Sequence, residues 1–164
     1  MELTVRSFLT QYGEALKEKV IQRFQPLYNP KVRELELERK LRDLKRALLD
    51  GQKPPVFGIV KGFQAGRRGG ILVGETGSGK TICSIAVSHL TLESPYRVIV
   101  MCPPHLVQKW IREIKETLDG VEVVNLNGSG LKELMELRDA SAPKKPTWYV
   151  IGSCLLYTSP SPRD

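Results

Sequence analysis

The eight residues Gly74-Glu75-Thr76-Gly77-Ser78-Gly79-Lys80-Thr81 satisfy the pattern G-x-x-x-x-G-K-[ST] at all four fixed positions. They follow the apolar run Ile71-Leu72-Val73 and open a stretch of helical periodicity at Lys80, so a strand, a tight loop and a helix are expected in that order. Glycines let such a loop curl until successive amide N–H groups point inward, and the helix amino terminus adds a partial positive charge. The pattern therefore describes a cradle for phosphates, with Gly74, Glu75, Thr76, Gly77, Ser78, Gly79, Lys80 and Thr81 around the charged tail of ATP. Lys80 offers a mobile ammonium to the β- and γ-phosphates and the Thr81 hydroxyl is placed to ligate Mg²⁺, which makes these two the candidate catalytic residues.

A strand-loop-helix unit needs a sheet to belong to, and the rest of the chain supplies the signals for one. Apolar runs rich in Ile and Val at 71–73, 98–101, 121–124 and 148–151 alternate with helical stretches at 80–92, 106–118 and 131–140. This alternation predicts βαβ units and a parallel sheet covered on both faces, hence an α/β fold. Ahead of it lie three helical patterns, at 3–24, 31–50 and 56–66. Residues 1–54 are thus expected to form a helical extension and 55–153 the α/β lobe.

At 164 residues, with 41% hydrophobic and 26% charged, the chain can bury a core of ordinary size. Its net charge of +7 is carried entirely by residues 1–69, which hold 15 Lys and Arg against 8 Asp and Glu, while 70–164 hold 10 against 10. A basic front suits contact with phosphates and equally suits a solvated helix face, and both readings stay open. No apolar run approaches the roughly 18 to 20 residues of a membrane span, and the first residues lack a signal-peptide core, so an intracellular, cytoplasmic protein is expected. Cys83, Cys102 and Cys154 make no metal or disulfide pattern, and the first two are expected as small buried side chains. His89 and His105 lack metal-ligand spacing.

The segment from Gly69, GGILVGETGSGKT, resembles motif I of superfamily-two helicases. The block from Arg97 to Ile114, RVIVMCPPHLVQKWIREI, resembles motif Ia of the Swi/Snf-like translocases and their bacterial and phage relatives, and Thr147 to Ser153 is similar to the strand of motif Ib. The resemblance spans roughly 55–153 and implies the first RecA-like lobe of an ATP-hydrolysing helicase or translocase. It puts Pro103, Pro104 and His105 at the nucleic-acid face, with DNA favoured over RNA; the simpler reading is that Pro-Pro stops a strand and starts a helix. Trp110, in line with Leu106, Ile114 and Leu118, reads as core before it reads as a stacking platform.

Departures from the family pattern matter too. The glutamine that often follows the loop's Lys-Thr is replaced by Ile82-Cys83-Ser84, and upstream Gln52 and Gln64 are equally available as adenine readers. No Asp-Glu-x-His box follows a strand; Glu133, Glu136 and Asp139 sit in a helical pattern and are poor substitutes. The second RecA-like lobe, expected in cis, is missing. The resemblance therefore implies an enzyme in full length and a fragment without turnover. Two other classes remain: an AAA-type or secretion ATPase sharing the loop, and a basic helical module in 1–54 that binds nucleic acid or a partner without catalysis. Residues 154–164, Cys154-Leu155-Leu156-Tyr157-Thr158-Ser159-Pro160-Ser161-Pro162-Arg163-Asp164, look like a translated sequencing adapter, so the genuine frame is expected to end near Ser153.

Overall fold

The computed structural model describes residues 4–23, 26–126, 136 and 142–153. The helix expected at 131–140, apart from Glu136, and the 154–164 tail lie outside them. Among the described residues five helices, α1 (Val5–Arg23), α2 (Leu35–Leu41), α3 (Lys53–Gln64), α4 (Lys80–Thr91) and α5 (Val107–Thr117), join three strands, β1 (Arg97–Cys102), β2 (Glu122–Asn125) and β3 (Thr147–Gly152). The strands form a parallel sheet in the order β1-β3-β2, with Val100 opposite Val150 and Val123 opposite Trp148. This is a mixed α/β fold with the layout of a partial RecA-like lobe.

The central strand is apolar because helices cover a parallel sheet on both sides. In β3 only Tyr149 is less than fully buried. Its Trp148 and Val150 share one core with Val56 and Val60 of α3, Ile85 of α4, and Val107 and Ile114 of α5. Cys83 and Cys102 are buried as expected, and burial pushes both thiols up from their ordinary pKa, so they stay neutral packing groups. Local rules set the helix ends. Pro54 and Pro55 occupy the first turn of α3, where a missing N–H costs nothing, and Gly66 at φ +82° follows its last turn. The stripe expected along α5 is present: Ile114 and Leu118 are buried, Leu106 and Trp110 partly so.

Two expectations fail. The helix predicted over 31–50 stops at Leu41. There the amides of Arg42, Asp43 and Leu44 bond three residues back, and the Lys45 amide turns outward to the Thr117 carbonyl at the end of α5. Leu44 and Leu48 are buried nonetheless, carried into the core by this docked turn rather than by a helix face. The strand predicted at 71–73 is also absent: Ile71 and Val73 are 88% and 86% exposed, and no strand among the described residues pairs with them. An apolar run becomes a strand only when a neighbour accepts its ladder of hydrogen bonds. Helix α1 forms where expected but buries none of its residues. No helix among the described residues is long and apolar enough to cross a membrane.

The far end of α4 rests on the docked turn. His89 loses solvent there, and burial lowers its pKa from the ordinary 6.5, while the Asp43 carboxylate and a hydrogen bond to the Lys40 main chain oppose the shift. Because the unfolded chain binds this proton more readily than the folded one, stability should fall as pH drops through about 6.5. Urea titrations at pH 7.5 and 5.5 are expected to show that loss, with a smaller loss in His89→Gln. An equal pH response in both would remove His89 as the cause.

Candidate nucleotide-binding site

Gly77 and Gly79 adopt φ +87° and +80°, a left-handed conformation that side chains resist. Gly74 closes the loop from the other side: a Cβ there would lie 2.7 Å from the Ser78 hydroxyl. The Ser78 amide donates to the Glu75 carbonyl at 3.2 Å, and the Cys83 amide makes a first-turn bond to the Gly79 carbonyl at 3.1 Å. The amides of Lys80, Thr81 and Ile82 stand ahead of that bond at the helix start, where an α-helix offers no acceptor of its own. All three glycines are therefore required by geometry, and the loop ends on unspent donors.

Lys80 folds back into this loop. Its Nζ donates to the Gly74 carbonyl at 2.9 Å and the Glu75 carbonyl at 2.7 Å. Both acceptors are neutral, so a phosphate oxygen is the stronger partner and can displace them. The loop from Gly74 to Ser78 is exposed, as is Lys80, while Thr81 at the next position is half-buried. Among the described residues no group of three or more His, Cys, Asp or Glu side chains is placed to hold a metal. A magnesium ion held mainly by phosphate and water oxygens needs few protein ligands, and the Thr81 hydroxyl is an oxygen donor of that class beside the loop.

A residue that sequence left undecided is brought to the loop by the fold. Gln52 precedes the proline start of α3; its Nε2 donates to the Ser78 carbonyl at 3.1 Å, and its Oε1 accepts from the Leu49 amide at 3.0 Å. The same amide group fills the space where a Cβ on Gly79 would go. Gln64, at the other end of α3, is exposed and makes no such contact. The sequence signal separating them is the Lys53-Pro54-Pro55 helix start, which ties Gln52 to the first turn. Removing one hydrogen bond of this kind costs about 1 kcal/mol, so Gln52→Ala should weaken nucleotide binding several-fold and Gln64→Ala should leave it unchanged. Isothermal titration with MgADP checks both.

The orientation of α4 places the loop relative to the sheet. His89 and Leu92, at its end, line a cavity of about 290 Å³ together with Tyr96, Val121 and Pro146, which immediately precede β1, β2 and β3. The carboxyl end of α4 therefore sits at the amino ends of the strands, and Lys80 at the opposite edge. Pro103, Pro104 and His105 leave the carboxyl end of β1 at that same edge, all exposed. Pro103 accepts from the Leu106 amide at 2.8 Å in the 3-10 turn that leads into α5. Open α/β sheets bind ligands at this edge. Glu136 is exposed, and Glu133 and Asp139 lie outside the described residues.

The SNF2-related domain matches residues 22–147. The mouse (Mus musculus) DNA excision repair protein ERCC-6-like is 29% identical over 94 residues, 56% of this chain and 8% of that protein. Its zebrafish (Danio rerio) counterpart is 32% identical over 88 residues, 52% of this chain and 6% of the relative. The human (Homo sapiens) counterpart is 28% identical over 94 residues. The chain thus spans less than a tenth of the length of the curated relatives it matches.

Proposed function

The chain belongs to the SNF2-related domain family, and on that premise we propose that it is the ATP-binding portion of a nucleic-acid-dependent ATPase, a motor that moves along or remodels DNA. The observation that carries the reading is the ammonium of Lys80 held inside a loop closed by Gly74, Gly77 and Gly79. In that loop the helix-start amides bind the phosphates, Lys80 exchanges its two carbonyls for phosphate oxygens, and Thr81 gives the metal a ligand. Magnesium, when bound, neutralises charge developing on the phosphates. Gln52 holds the loop's backbone from outside.

DNA is proposed as the track because the relatives named above are DNA repair proteins. The exposed turn Pro103-Pro104-His105 is the proposed contact, through backbone amides at the start of α5. Turnover would need groups from elsewhere in the full-length protein: an acidic box for metal and water, and an arginine finger worth roughly 10³ to 10⁵ in rate. The chain alone is expected to bind MgATP with negligible hydrolysis.

Two measurements test this. Titration with a fluorescent ATP analogue should show saturable binding that needs Mg²⁺; indifference to Mg²⁺ would remove Thr81 from its role. Duplex DNA binding should weaken steeply with salt and depend on residues 103–105. Binding carried wholly by the basic residues before 54 would favour a non-catalytic basic module instead.

A further inference from the structure

The turn that follows α2 forms a cleft of about 640 Å³ between α2 and the start of α3. Four cations line it, Arg33, Arg42, Lys45 and Lys53, against one carboxylate, Glu38. Leu44 and Leu48 floor it but are already buried in the core, so what the cleft offers a visitor is charge. We propose that this cleft is a docking site for an acidic peptide segment of a partner protein.

Three of the cations already hold carboxylates of this chain. Arg33 meets Glu38 at 3.0 Å, Lys45 meets Asp119 at 2.7 Å and Lys53 meets Asp50 at 2.7 Å. Asp50 is almost wholly exposed and Asp119 largely so, and such pairs contribute little and exchange readily. Arg42 has no carboxylate partner among the described residues and is the natural anchor, since a guanidinium takes a carboxylate bidentately. The mixture of signs decides the class of ligand. A nucleic-acid strand carries one negative charge at every step and would meet Glu38, Asp50 and Asp119 along with the cations. A peptide can place its carboxylates only opposite the cations, and a thin chain enters a concave cleft that a duplex would bridge.

The test is fluorescence anisotropy of the whole chain with a fluorescein-labelled peptide of alternating glutamate and serine, and with its glutamine-serine equivalent. The acidic peptide is expected to bind saturably, to weaken with added salt, and to lose at least about tenfold in affinity in Arg42→Glu and in Lys53→Glu. The glutamine peptide should not bind. Lys80→Ala should leave peptide binding intact, which keeps this result separate from the fate of the nucleotide assignment. Circular dichroism and a melting curve confirm that each variant is folded; Arg42→Ala, a milder change, serves if the charge reversal unfolds the chain. Equal affinity for both peptides, no effect of either charge reversal, or displacement of the peptide by single-stranded DNA at lower total charge would overturn the proposal.

Discussion

Lys80→Ala is expected to weaken binding of MgATP or MgADP about a hundredfold while leaving the melting temperature nearly unchanged. The two effects separate because of where the side chain sits. Lys80 is exposed, and among the described residues its ammonium bonds to the neutral carbonyls of Gly74 and Glu75, which water can satisfy once the side chain is gone. In the bound state the same group would face phosphate oxygens, and a hydrogen bond to a charged partner contributes about 1.5 to 3 kcal/mol. The upper end of that range corresponds to two decades in affinity, at about 1.4 kcal/mol per decade. Isothermal titration gives the affinity and differential scanning fluorimetry the stability. An affinity change below about threefold would mean that the loop is a strand-to-helix turn with an incidental lysine. Steady-state hydrolysis that disappears in Lys80→Ala would refute the expectation of negligible turnover and require a catalytic carboxylate within this chain.

What the residues disclose in advance follows from how local each feature is. The loop from Gly74 to Thr81 is legible because its geometry is set by its own glycines, and the positive φ values of Gly77 and Gly79 answer directly to the pattern. The stripe of α5 is legible for the same reason, since helical period alone decides that Ile114 and Leu118 face inward. Features that depend on distant partners are not. The 31–50 pattern has helical spacing throughout, yet past Leu41 the Lys45 amide bonds the Thr117 carbonyl at the end of α5, and the Arg46 side chain pairs with Glu113 at 2.8 Å. The 71–73 run has the local marks of a strand, and only the sheet order shows that no strand among the described residues pairs with it. Gln52 reaches Ser78 across 26 positions, a proximity that no spacing rule contains. Charge counting located the basic front but not its division into ion pairs on α5 and the cleft beside α2.

Trp148→Ala should cost about 3 to 5 kcal/mol of folding stability, the range for truncating a large buried aromatic. Trp148 is 1% exposed and is among the largest fully buried side chains described. It lies on β3, the strand hydrogen-bonded on both sides, opposite Val98 of β1 and Val123 of β2. No edge is available there through which the sheet can shift to fill the void, so the cost should approach the upper end of the range. Domains of this size are stable by about 5 to 15 kcal/mol in total, so one such loss leaves little or no margin. Urea unfolding followed by circular dichroism should show a midpoint far below that of the unaltered chain, or no cooperative transition at all. Tyr149→Ala, at the neighbouring half-buried position, should cost much less. A Trp148→Ala chain that loses under about 1 kcal/mol would place the centre of the core somewhere other than β3, and the sheet edge shared by Lys80 and Pro103 would lose its foundation.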